Sequence, residues 1–366
     1  MLNEKQLERA VERGIITDDQ RSSLLELVAT ETDKDRMVAF DEAPRFFRSF
    51  NDLFIGLGVG LLAGAVASTA KLFTGLEKEA SIFVPLFGML VFWGMAEWLT
   101  RMRRINFPSI VIVVAFAIFV GQFATNFWEY FALQTESLGS EARIQKQLGA
   151  FIVSAFATVS LYAFFYRFRL PFAILLLAGA CCLTVITGLT FMMGGAKALE
   201  PFLRWIVLGI GLAVFAGAMW FDTQDPLRTK RTSDHGFWLH LLAAPIITHS
   251  ALWTTLQPIM KNMKSTVYAD DVVVGIVLSI FIVFSLIALI IDRRALLISS
   301  LGYASAALTY IIVKFDVGAN VALVLTLLLI ATLVLVLGTG WHKLRAKLFG
   351  LLPAFAFYKK LPPVKV

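Results

Sequence analysis

Cysteine and charge are both scarce. Cys181 and Cys182 are the only cysteines. They are adjacent and lie in an apolar run, which excludes a framework of structural disulfides and leaves them as small apolar filler. Charged residues make up 16% of the chain, against roughly 25% in a soluble domain. The P-loop pattern, HExxH and CxxC pairs are absent, so no metal or cofactor is expected. Gly56, Gly58 and Gly60 sit inside an apolar run, not between a strand and a helix. The first residues, with Glu4, Lys5, Glu8 and Arg9, contain no apolar signal region, so no cleaved signal peptide is expected. The first apolar run then serves as the targeting signal.

What is abundant is apolar sequence, 58% of the residues, and it comes in blocks. Residues 321–337 contain only Leu, Val, Ile, Ala and Thr, and 272–291 are similar. A helix rising about 1.5 Å per residue needs about 20 such residues to cross a hydrocarbon core of about 30 Å. The expected fold is therefore an all-α, polytopic transmembrane helix bundle. It has about ten spans, near 52–71, 80–99, 107–130, 148–166, 170–192, 202–221, 237–256, 272–291, 295–313 and 318–338. If the seventh, which carries Pro245 and two histidines, failed to cross, nine would remain and the C-terminus would move outside.

The net charge of +7 is read as membrane orientation and not as nucleic-acid binding. With both termini inside, the inner segments hold 24 Lys and Arg and the outer ones 8. Every inner segment carries a basic pair or cluster, which is the pattern of cytoplasmic loops.

Three regions follow. Residues 1–45 form a cytoplasmic helix hairpin with a charged linker, 46–340 the transmembrane bundle, and 341–366 a basic amphipathic tail lying in the interface. In the hairpin Gly14 fits a helix stop, and Thr17 with Gln20 fits a capping box. Two such short helices bury little surface alone and should dock onto something.

Ionisable groups deep in a bilayer are costly and usually functional. Few are found here. Glu97 with Arg101, and Glu200 with Arg204, have the spacing of ion pairs at helix ends. Asp292, Arg293 and Arg294 lie just beyond the eighth span. The candidate polar cavity comprises His240 and His249 on the seventh span with Gln122 and Asn126 on the third. The histidines are nine residues apart, on opposite sides of a helix, and cannot share a metal unless Pro245 bends it strongly. For all four, hydrogen bonding between neighbouring helices is the competing reading. Gly56, Gly60 and Gly64 on the first span, and Gly209 and Gly217 on the sixth, form small-residue stripes suited to helix packing or dimerisation. Because both stripes open five-span halves, they also suggest an inverted repeat.

The segment Glu12-Arg13-Gly14-Ile15-Ile16-Thr17-Asp18-Asp19-Gln20 resembles the helix-hairpin opening of a group of uncharacterised bacterial multi-span membrane proteins. Gly338-Thr339-Gly340-Trp341-His342-Lys343-Leu344-Arg345, with Leu351-Leu352-Pro353 and Leu361-Pro362-Pro363, is similar to the ending of the same group. The resemblance implies a bacterial inner membrane and an unassigned activity, and it carries over no catalytic residues.

Three functions are compatible with this reading. The first is a non-enzymatic membrane protein that associates with itself or with another membrane protein. The second is a carrier for a small solute or lipid. The third is a membrane-embedded transferase, with Glu77, Glu79 or His249 as its candidates. The lipid bilayer is the partner common to all three.

Overall fold

A long apolar segment in a bilayer can satisfy its backbone hydrogen bonds internally only as a helix or in a closed barrel. In the computed structural model these segments are helices, and among the described residues there is no strand. The structure describes residues 7, 10–11, 13–24, 50–73, 80–132, 140–228, 232–261, 271–313, 317–353 and 361–364. From residue 50 on, ten α-helices are described: α1 (Phe50–Phe73), α2 (Ala80–Met95), α3 (Asn106–Ala132), α4 (Ser140–Phe168), α5 (Ala173–Met192), α6 (Ala196–Gln224), α7 (Thr232–Lys261), α8 (Asp271–Ile291), α9 (Ala295–Val313) and α10 (Ala319–Leu351). A π-helical turn, Ala96–Met102, extends α2. Among the described residues, eight of the helices, α1–α6, α8 and α10, are long and apolar enough to cross a membrane. The helix α7 runs through Pro245 without interruption.

The described turns at the two ends differ in chemistry. Glycines with positive φ, Gly194, Gly195 and Gly318, lie before α6 and α10. The turns after α2, α4, α6 and α8 instead hold Arg104, Arg169, Arg228 and Asp292, with φ of 54°, 51°, 53° and 58°. These four turns close the hairpins α2–α3, α4–α5, α6–α7 and α8–α9, whose helices pack along each other. They share one end of the bundle, called the inner end below.

The odd-numbered helices also touch in sequence, α1 to α3, α3 to α5, α5 to α7 and α7 to α9, while α10 covers α9 and α8. The bundle is thus a row of hairpins. The expected inverted repeat of five-helix halves is not reproduced: α1 lies along α3, but α6 has no comparable contact with α8 among the described residues. Aromatic packing fills the first part of the row, where Phe92 stacks on Phe119 at 5.5 Å and Phe116 meets Phe164 at 5.1 Å. Around α8 and α10 the core is Ala244, Ala288, Leu296 and Trp341. Large apolar side chains such as Leu57 and Leu61 on α1 and Leu327 and Leu328 on α10 are exposed, as expected where lipid is the solvent.

The glycine stripes are placed as follows. Gly56 seats the ring of Phe107, and Gly60 lies near Val111, so both pack α1 on α3 within the chain. Gly64, Gly209 and Gly217 meet no packed neighbour among the described residues. The buried seam of α6 is instead Gly211, Phe215, Ala218 and Asp222, where Gly211 admits Ile246 and Ile247 of α7. It lies on a different face because residues 211, 215, 218 and 222 follow the helical repeat toward α7.

The N-terminal turn has the expected capping. Gly14 has φ of 68°, Ile15 N–H donates to Ala10 O at 2.9 Å, and Gly14 N–H donates to Val11 O at 2.9 Å, which is a Schellman stop. Thr17 and Gln20 exchange backbone-to-side-chain bonds of 3.0 and 3.3 Å. The expected interfacial tail, 341–366, is described only in part. Helix α10 continues to Leu351, its Trp341 and Arg345 are buried, and Leu344, Leu348 and Phe349 pack onto the bundle. Lys343 and Lys347 are exposed.

Candidate functional site

The candidate site is a buried charge cluster at the inner end, built by α6, α7, the α8–α9 turn and α10. Asp222 stands one turn beyond Ala218 on the buried seam of α6. Opposite it, Gly236 of α7 has no side chain, and a Cβ there would collide with the Asp222 carboxylate. That vacancy lets α7 approach closely enough for His240, one turn further on, to place Nε2 at 2.9 Å from Asp222 Oδ2. Arg293 reaches the same carboxylate from the α8–α9 turn. It donates through Nε to Oδ2 at 2.9 Å and through Nη2 to Oδ1. The Nη2 group also donates to Ser233 O at 3.1 Å and Ser233 Oγ at 3.0 Å.

A second pair lies beside the first. Arg228, in the α6–α7 turn, pairs with Asp292 Oδ2 at 3.2 Å and donates to Asp292 O at 2.5 Å. Trp341 Nε1 of α10 donates to Asp292 Oδ1 at 2.7 Å, and the Arg294 guanidinium stands 5.3 Å from the Trp341 ring centre. Arg345 then closes the cluster. It donates to Leu289 O at 3.0 Å, at the end of α8, and to Pro362 O and Pro363 O at 2.7 and 3.0 Å. Residues 361–363 thereby return to the inner end, with Leu361 buried.

Asp222, His240, Asp292, Arg293 and Arg345 are all buried. Charges removed from water are tolerated only when paired and hydrogen-bonded; Asp222, His240, Asp292 and Arg293 have such partners, and Arg345 is held by backbone carbonyls. The arrangement acts as a clamp: two carboxylates hold three helix ends and two turns in one geometry. Most of their donors are bound within the cluster or to nearby carbonyls, while His240 Nδ1 is buried with no hydrogen-bond partner among the described residues, and the described residues contain no group of three or more His, Cys, Asp or Glu suited to a metal.

The four residues of the sequence-derived cavity do not converge. Of them, only His240 joins this cluster. His249 Nδ1 pairs with Tyr303 Oη at 2.9 Å across α7 and α9. Asn126 Nδ2 donates to Ser81 O of α2 at 2.5 Å, and Gln122 lies one turn away on α3. The physical reason is the row: α3 and α7 are separated by α5, so their polar residues face different neighbours. Glu77 and Glu79 lie outside the described residues. Arg204 covers the Trp205 ring at 4.6 Å.

Sequence reasoning missed Asp222, Arg228, Trp341 and Arg345. A signal was present, since Asp222 continues the seam of Gly211, Phe215 and Ala218 by one turn. A matching pair occurs at the inner ends of α2 and α4. Glu97 takes Arg101 at 3.2 Å, as its spacing predicts, and also Arg167 at 2.7 Å. No protein-family model matches the chain, and no curated protein or solved structure matches it.

Proposed function

We propose that this chain is a ten-span protein of a bacterial inner membrane, with both termini in the cytoplasm, that works by assembly with itself or with another membrane protein and not by catalysis. The observation that carries this reading is the clamp. The polar groups brought together at the inner end bind one another and fix helix ends, which suits a rigid platform. The Lys and Arg excess falls on the same end, as cytoplasmic loops require.

The N-terminal helix pair is the docking element. Its turn is fixed by Gly14 and the Thr17–Gln20 box, while Ile15 (70% exposed) and Leu24 present apolar surface. The assembly reading is favoured over a carrier because His249 and Asn126, suggested for its pathway, bind separate neighbours.

The test is the mass and composition of the complex extracted into nanodiscs, with and without residues 1–28. A defined oligomer or bound partner that disappears on deletion is expected. A stable monomer from both forms would overturn the assembly reading.

A further inference from the structure

The hairpins α2–α3 and α4–α5 leave an apolar groove of about 180 Å³ between α2 and α4. Met89, Leu90 and Trp93 line one wall, Ser160 and Ala163 the other, and Phe116 the floor. Leu90 and Ala163 are exposed, so the groove opens outward to the bilayer. One helical turn closer to the inner end, both walls become charged. Glu97 follows Trp93 by four residues, and Arg167 follows Ala163 by four, so the charges sit on the faces that line the groove.

At this point α2 widens into its π turn, a feature frequent at functional sites. Glu97 binds Arg167 through two bonds of 2.7 and 3.1 Å and Arg101 through one of 3.2 Å. One carboxylate facing two guanidiniums leaves an excess of positive charge at the groove's mouth. The Arg101 and Arg167 side chains remain 55% and 39% exposed, with donors open to a ligand. Trp98 is exposed beside them, with the Arg103 guanidinium 6.0 Å from its ring centre, the combination that marks headgroup level.

We propose that this groove binds an anionic phospholipid, its acyl chain between α2 and α4 and its phosphate on Arg101 and Arg167. Apolar walls that end in net positive charge match an amphiphile with a negative head. Arginine forks suit phosphate oxygens, and a zwitterionic headgroup would bring its own cation against the excess charge. The proposal requires a membrane but is independent of the assembly reading.

The experiment uses the full chain, stripped of lipid in neutral detergent. Native mass spectrometry follows titration with phosphatidylglycerol or with phosphatidylethanolamine of the same acyl chains. Phosphatidylglycerol is expected to bind preferentially as a defined adduct. Arg101→Gln should weaken it about tenfold, as loss of one charge-assisted contact implies, and Arg101→Lys should recover part. Ala163→Trp should remove the adduct by filling the groove at an exposed position. Leu90→Trp does the same from the other wall if the first variant fails to fold. Equal binding of the two lipids, or undiminished binding by a folded groove-filled variant, would overturn the proposal.

Discussion

Asp222 shows how much one buried carboxylate can organise. It receives His240 from α7 and Arg293 from the α8–α9 turn, so it holds elements that are 18 and 71 residues away. Asp222→Asn leaves the Arg293 cation buried with a neutral partner, which typically costs about 3–5 kcal/mol. Arg293→Gln alone should cost a similar amount. The double variant should be less damaged than the two losses added, because the second change removes the charge that the first left uncompensated. Thermal unfolding in detergent across the four proteins checks this, and simple additivity would count against direct coupling. His240 was legible in the sequence as a rare polar residue in an apolar run. Its partner was not, because a hydropathy window ends the sixth span at residue 221 and places Asp222 in a loop. Helix α6 continues to Gln224, and only its approach to Gly236 of α7 shows that the last turn is buried.

Each hairpin turn at the inner end contains a residue in the left-handed region that is not glycine, a conformation that costs an ordinary residue roughly 1–2 kcal/mol. The side chains therefore need separate justification. Asp292 has one, since its carboxylate binds Arg228 and Trp341. Arg104 is exposed. The two positions should thus respond oppositely to glycine. Arg104→Gly relieves backbone strain and adds unfolded-chain entropy, so stability should stay within about 1 kcal/mol. Asp292→Gly relieves the same strain but strands Arg228, and should lose about 3–5 kcal/mol. Unfolding midpoints of the two variants distinguish the cases, and equal shifts would show that Asp292 matters only as a turn residue. At this scale the sequence was informative about where helices lie, because length and apolarity alone determine it. It was poor at α10. The basic, apolar composition of 341–351 fits an interfacial helix as well as a buried one, and the carbonyls that capture Arg345 belong to Leu289, Pro362 and Pro363, which no local pattern connects.

Across the whole molecule, the inner ends form a continuous series of contacts. Glu97 and Arg167 join α2 to α4, Phe172 and Trp238 join the start of α5 to α7, Asp222 and Arg293 join α6 to the α8–α9 turn, and Trp341 and Arg345 attach α10. A row of hairpins fastened at one end explains why the polar candidates on α3 and α7 never meet, although hydropathy counts both helices as equivalent members of a bundle. It also makes sidedness a property of the entire chain: if one inner turn faces the cytoplasm, all four hairpin turns do. Arg104 and Lys197 are exposed at opposite ends of the row, and Cys181 and Cys182 can be replaced by alanine to remove background thiols. In that background a membrane-impermeant maleimide should label Lys197→Cys on intact cells and Arg104→Cys only after the membrane is opened. The reverse pattern would place both termini outside, against the distribution of Lys and Arg. Labelling of both sites on intact cells would mean that α3, α4 and α5 do not carry the chain across between those positions, and the proposed ten-span topology would fall with it.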